Sequence, residues 1–547
     1  MYPHKITISR CICSLTLLVW VTLISCNNKR TEHIANTVRL NYSSGTLESM
    51  DPAFAKDLYA MWTDHMLYNT LVETDENLKL VPSLAKTWEV SDDGLVYTFH
   101  LRTDASFQDV PEFQGRKMTA KDVVYSFNRL IDSNTASSGA WIFNDKVVKD
   151  NPFVAVNDSM VTIHLIKPFR PLPQILSMPY CSIVPHEVVE KWGKDFRAHP
   201  CGTGPFQFHY WDEGNTLVLK KNPHYWQQDE QGKQLPYADA VQIGFVDSKA
   251  TEFMLLLQGK LDFVNSIDGS FKDLVLTKKG ELKKEFENKI HLNKSTYLNT
   301  EYIGFLTDTS NPIMVGQAQR DYLVRRAINY AIDRNKMVTY FKNGAVLPAT
   351  SGFIPAGIAG HDDAGSFGYH YDVAKALELL KQAGHPNGKG LKPLHILTPP
   401  TWEDAVNFIA TQLQEIGITL EVEVIQPNIM RQQVSKSQAL MFRNQWIGDY
   451  PDAETFLAFF YSKYPAPPNY TRFNNSTFDK WYDESMNLPD SQRFIKYQQM
   501  DSLVTYYAPV IPLFYDRMLH FTNTRISGLS STPMNLIDLK RVKISAQ

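Results

Sequence analysis

Reactive side chains are plentiful in this 547-residue chain, but their spacing builds no reaction centre. The 15 histidines are scattered, and the one loose pairing, His361 with His370, lacks the spacing of metal ligands. Among 58 acidic residues, no two are set by sequence to share acid–base work. The chain has no H-E-x-x-H, no G-x-S-x-G and no C-x-x-C. Asn387-Gly388-Lys389-Gly390 lacks the phosphate-loop spacing, and Gly202-Thr203-Gly204-Pro205 does not open a dinucleotide-type helix. This pattern argues against a surface hydrolase; no catalysis, no metal and no cofactor is expected. With 21% charged residues and a formal net charge of -3, nothing points to nucleic acid or an anionic membrane surface.

Cysteine is the exception, because its positions carry information. Lys5 and Arg10 precede a mostly apolar run from Leu15 to Ile24, too short to span a bilayer comfortably. Residues 1–25 therefore read as a secretory signal, which would remove Cys11 and Cys13. The run ends in Leu23-Ile24-Ser25-Cys26, which resembles the bacterial lipobox, whose cysteine is acylated. Acyl chains on Cys26 would hold the protein at a membrane, facing the periplasm or cell exterior, with residues 26–37 as a polar tether. Cys181 and Cys201 remain, an even pair in an oxidising compartment. They form either a disulfide or two buried thiols, since sequence does not report their separation.

The elements that must position any site are legible from periodicity. Val38 to Tyr42 alternates like a strand, and Leu58, Met61, Trp62 and Met66 recur at helical spacing. Thr87 to Val90 and Val96 to Leu101 flank an Asp93-Gly94 turn, and Thr119 reads as the N-cap of the next helix. Strands are expected at Leu217 to Leu219 and Val241 to Val246, with a helix near Glu252 to Leu257. Leu323, Val324, Ala327, Ile328 and Ala331 mark one amphipathic helix; Asp372 caps another, with Gly384 at its end. Leu394 to Thr398, a helix closed by Gly417, and Ile418 to Val424 predict a β-α-β unit with a parallel strand pair. A strand near Met441 to Trp446 then feeds the loop Ile447 to Asp452. Ligands of open α/β sheets bind just past such carboxyl ends.

Several segments resemble the bacterial extracellular solute-binding family that includes the oligopeptide- and dipeptide-binding proteins. They are Pro82 to Glu89, Tyr97 to Arg102, Met118 to Ser126, Gly202 to Phe206, Asn222 to Trp226, Arg326 to Arg334 and Ala508 to Phe514, in the family's order. The resemblance implies an α/β, two-lobed periplasmic-binding-protein-like fold of three domains, with mixed sheets flanked by helices and a hinged ligand cleft. Domain I is expected from residues 38–71, 185–295 and 508–547, domain II from 72–184, and domain III, the second lobe, from 296–507. The implied partners are a short peptide and the permease subunits of an ABC importer. The protein is expected to be monomeric, to touch the membrane only through its lipid anchor, and to bind no nucleic acid.

Burying a zwitterionic peptide requires a carboxylate for the ammonium, a cation for the carboxylate, and hydrogen-bond partners between. In the oligopeptide-binding relatives an aspartate closing W-x-x-D pairs with the amino group; Trp446-Ile447-Gly448-Asp449 matches, so Asp449 takes that role. Arg443 matches an arginine that meets the ligand carboxylate, and equally fits an ion pair within the lobe. Trp446 would wall a side-chain pocket, and Asn469 and Tyr515 match lining positions. Two departures stand out: Asn329 replaces a lysine, and Gly139 replaces a tyrosine for which Trp141 is a substitute. Family membership alone leaves oligosaccharide, nickel chelate or haem open as ligand, and sensing as well as transport as role.

Overall fold

A computed structural model describes residues 34–43, 47–111 and 113–545. The signal segment 1–25, Cys26 and the first part of the tether lie outside the described residues. Along the chain come β1 (Thr37–Asn41) and α1 (Leu58–Leu67), then β2 (Ala85–Val90), β3 (Val96–Leu101) and α2 (Ala120–Ile131). Strands β4 (Phe153–Asn157), β5 (Met160–His164), β6 (Phe206–Asp212), β7 (Thr216–Lys221), β8 (Ala240–Gly244) and β9 (Phe263–Asn265) follow. The long β10 (Ile290–Phe305) leads to α3 (Tyr322–Tyr330), α4 (Arg334–Lys342) and α5 (Val373–Gln382). The remainder comprises β11 (Leu394–Thr398), α6 (Glu403–Gln414), β12 (Leu420–Val424), β13 (Met441–Ile447), α7 (Asp490–Tyr507) and β14 (Val510–Asn523).

Three larger sheets organise these elements. One has the order β1-β8-β7-β6, with β1 parallel to β8; the second is the antiparallel sheet β2-β3-β5-β4. Local chemistry accounts for its shape. Val96–Leu101 buries alternate residues, Gly94 takes the positive φ of 73° that its tight turn needs, and the Thr119 N–H donates to Asp122 at 2.8 Å to start α2.

The third sheet is mixed, in the order β9-β14-β10-β13-β11-β12, with Leu347–Pro348 paired to β14. Strands β11, β12 and β13 are parallel, as the β-α-β reading requires. Val324, Ala327 and Ile328 of α3, Ala376 and Leu380 of α5, and Val406, Ile409 and Leu413 of α6 bury one face of it against Ile303, Ile396, Met441 and Ile511. Each large aliphatic side chain buried in this core contributes roughly 1.5–3 kcal/mol. Asn329 belongs to it. Its amide donates to the Val510 carbonyl at 3.2 Å and accepts from Arg334 at 2.9 Å, and Arg334 also donates to the Pro512 carbonyl at 2.6 Å. The residue standing where relatives carry a lysine is thus a buried clamp between α3 and β14.

Strands β10 and β14 run through both lobes. Strand β9 flanks β14 at His520 to Thr522 and β13 flanks β10 from Asn299 onward, so near Lys294 to Thr296, opposite Arg517 to Leu519, two strands pair without a third beside them among the described residues. The register shifts there: Thr296 faces Arg517 and Thr300 faces Tyr515, leaving Tyr297, Leu298 and Asn299 bulged opposite Asp516.

Cys181 and Cys201 are both free and both buried, the arrangement of the two-thiol alternative. Each has its own partner: Cys181 Sγ lies 3.8 Å from the Ile175 carbonyl, and Cys201 Sγ 3.4 Å from that of Gln108. Burial pushes the Cys201 thiol up to about 12, so neither sulfur is reactive in the folded chain.

Candidate ligand-binding site

Strand β13 ends at Ile447 and its next turn carries Asp449, at the carboxyl end of the parallel strands. Asp449 is exposed at the surface, although protein crowds around its carboxyl. Burial raises its carboxyl from 3.8 to about 6, opposed only by the Thr455 hydroxyl, 3.4 Å from Oδ2. Among the described residues no cation pairs with it. Trp446 stands behind, its indole N–H donating to the Thr455 carbonyl at 2.8 Å and its ring edge-on to Phe459 at 5.5 Å.

The following turn is held from inside. Arg493 of α7, fully buried, donates to Asp452 at 2.7 Å; Tyr497 donates to the same carboxylate at 3.0 Å. Asp452 caps Glu454 N–H at 2.9 Å, and the Glu454 carboxylate accepts from the Tyr450 and Tyr482 hydroxyls.

Across the crevice, Trp141 of the β2–β5 lobe stacks on Tyr450, with centroids 6.3 Å apart. Trp141 is 37% exposed, and Lys146 donates to its carbonyl at 3.0 Å. Tyr180 also faces this region: its hydroxyl lies 3.2 Å from the Ser138 hydroxyl, and its phenol is raised by burial with a small contribution from Asp449. Sequence reading missed Tyr180, which lies in no matched segment. The signal for it was Gly139, an absence that some other ring could fill.

The remaining expected site residues lie elsewhere. Arg443 pairs with Glu301, and its guanidinium lies 3.7 Å from the centre of the Trp402 ring. Of its two readings, the ion pair within the lobe is the one present. Asn469 is buried in its own loop, donating to the Phe473 carbonyl at 2.9 Å and the Tyr461 carbonyl at 3.3 Å, and accepting from Phe473 N–H at 3.0 Å. Its amide is fully used there, so a direct ligand contact is corrected to a loop-shaping role. Tyr515 is buried too, its hydroxyl donating to the Gly352 carbonyl at 2.8 Å. The structure therefore brings together Asp449, Trp446 and Trp141, but not Arg443, Asn469 or Tyr515.

A recess of about 1010 Å³ opens on the first lobe beside Asp51, Asp57, Tyr125 and Arg129. Two of its charges, Arg129 and Asp51, already pair with each other at 2.7 Å. An unpaired carboxylate crowded by protein is the stronger indication of a binding site than volume alone.

Known proteins share this architecture. Heme-binding protein A of Haemophilus influenzae is 28% identical over 493 residues, covering 86% of this chain and 85% of that protein. Glutathione-binding protein GsiB of Salmonella choleraesuis is 27% identical over 495 residues, covering 89% and 90%. Among solved structures, HbpA2 from Haemophilus parasuis superposes with a TM-score of 0.81 at 23% identity, over 93% of this chain and all of that one. The periplasmic murein tripeptide-binding protein MppA, in its unliganded open form, gives 0.79 at 22% identity, over 93% and 97%. DppA from Helicobacter pylori, in complex with the peptide STSA, gives 0.70 at 24% identity, over 93% and 98%. Residues 79–467 match the model of the bacterial extracellular solute-binding proteins, family 5 Middle. The chain belongs to that family, the family 5 solute-binding proteins of ABC importers.

Proposed function

We propose that this protein captures short peptides by their free amino terminus in the interlobe crevice, releases them intact, and delivers them to an ABC importer. The observation that supports this most directly is Asp449. It stands just past the carboxyl end of β13, crowded by protein but still exposed, and has no counter-charge among the described residues. A primary ammonium supplies that charge, and charge-assisted hydrogen bonds are the strong ones. Trp141 and Tyr450 offer an apolar wall for a neighbouring side chain. Relatives that bind glutathione or are seen in complex with a peptide agree with such a ligand. Haem has no ammonium and would leave Asp449 unpaired.

We further propose that Cys26 carries the lipid that holds the protein at the membrane; loss of membrane retention in Cys26→Ser checks it. For the ligand, calorimetry of unliganded protein with short peptides is the test. N-acetylation of the peptide, or Asp449→Asn, is expected to weaken binding by about 1.5–3 kcal/mol. Equal affinity for free and acetylated peptides would overturn the reading, as would binding of haem with no peptide bound.

A further inference from the structure

A second polar cluster lies further back along β13, apart from the group that Asp449, Trp446 and Trp141 form. Residues Arg443, Gln445 and Ile447 alternate onto one side of β13, and Gln445 and Ile447 are exposed. Opposite them stand Asn299 and Glu301 of β10, whose register partners are Ile447 and Gln445. Asp516 of β14 completes the group, accepting from Asn299 at 2.5 Å in the bulge that joins the lobes. Trp402, just past the carboxyl end of β11, covers Arg443 and stacks on Phe514 at 5.6 Å. From Ile447 back to Arg443 is four strand steps, about 13 Å, within reach of a short extended peptide held at Asp449.

Each cation here already has an acidic partner, although burial raises the Glu301 carboxyl to about 7 and raises that of Asp516 as well. Glu301 takes Arg443, and Lys342 of α4 stabilises the Asp516 carboxylate at longer range. Two groups are left over. Arg443 Nε–H, a donor, and Asn299 Oδ1, an acceptor, are buried without partners. Buried orphans of both kinds call for a neutral ligand group that accepts at one atom and donates at another.

We propose that Glu301, by occupying Arg443, makes this end of the crevice select ligands whose far end is uncharged, a carboxamide or a continuing peptide bond, over a free carboxylate. An amide carbonyl satisfies Arg443 Nε–H and an amide N–H satisfies Asn299 Oδ1. A carboxylate would instead be a third acid beside Glu301 and Asp516, with no unspent arginine to meet it. The inference rests on Asp449 binding the ligand's ammonium, and it adds the chemistry of the other end.

The test uses purified unliganded protein and two mixed-sequence tetrapeptide pools with free amino termini, one ending in carboxylate and one in primary amide. They compete for capture, and retained peptides are weighed by mass spectrometry. Wild-type protein is expected to retain amides in preference to acids. Glu301→Gln, which frees Arg443, is expected to shift the ratio towards acids by about tenfold, the size of one charge-assisted hydrogen bond. Equal retention of the two pools, or a preference of the wild type for acids, overturns the inference while leaving the Asp449 reading intact, and needs no variant to fold. An unchanged ratio in a folded Glu301→Gln also overturns it. Retention of neither pool sinks the Asp449 reading and this inference together.

Discussion

The ring of Tyr180 occupies the space that any side chain at position 139 would need: a β-carbon on Gly139 would lie 2.5 Å from Tyr180 Cδ1 and 2.9 Å from Cγ. Those atoms belong to the root of the ring, which cannot swing aside as a flexible tip would. Gly139→Ala is therefore expected to cost about 1–3 kcal/mol, the usual penalty of overpacking, measured by urea unfolding. In Tyr180→Ala the same glycine change should be nearly neutral. Equal costs in both backgrounds would show that the two positions are not coupled.

Asp449 makes stability and binding respond to pH in opposite directions. A carboxyl raised from 3.8 to about 6 by burial holds its proton more tightly in the folded chain than in the unfolded one. Its contribution to stability is therefore most favourable at low pH and is lost as pH rises through about 6. Ammonium binding needs the anion, so affinity strengthens over the same range. Melting temperatures of the unliganded protein from about pH 4.5 to 7.5 should fall less steeply in Asp449→Asn than in wild type. Parallel curves would show that the carboxyl is not perturbed.

The Asp452–Arg493 pair is buried on both sides, with side-chain exposures of 1% and 0%. Removing one partner strands the other, so Arg493→Met is expected to destabilise the protein by about 3–5 kcal/mol. Peptide affinity should fall as well, because the pair holds the turn that presents Asp449. Adding Asp452→Asn should recover part of the stability. A double variant no better than the single would assign the loss to packing of the arginine stem instead.

The free state of Cys181 and Cys201 is open to direct titration. In protein beginning after Cys26, a thiol reagent should find no reactive group in buffer and two in denaturant without reductant. Zero in denaturant would establish a disulfide.

The local part of the architecture was legible in the sequence. Leu394 to Thr398 and the following helix and strand form as read, because apolar periodicity and the Gly417 turn act within a few residues. Gly417 is at φ 79°, and a β-carbon there would meet the Asn387 carbonyl at 2.1 Å. What escaped is non-local. Glu301 lies 142 positions before Arg443, so the arginine's neutralisation leaves no trace near W-x-x-D. Asn469 and Tyr515 stand at motif positions yet spend their polar atoms on backbone carbonyls that only the folded loop brings near. Tyr180 could be reached only through the missing side chain at Gly139.

The narrow neck near Lys294 to Thr296 constrains how the two halves can move. A two-stranded ribbon resists shear within its own plane, where the ladder of hydrogen bonds opposes sliding, and yields across it. Relative motion of the lobes is thereby confined to a swing about one axis, as in a leaf spring, with the bulge opposite Asp516 as its thinnest point. A solute that fills the crevice works against a flexure with one soft direction, so closure reproduces a single geometry for whatever machinery reads the closed face.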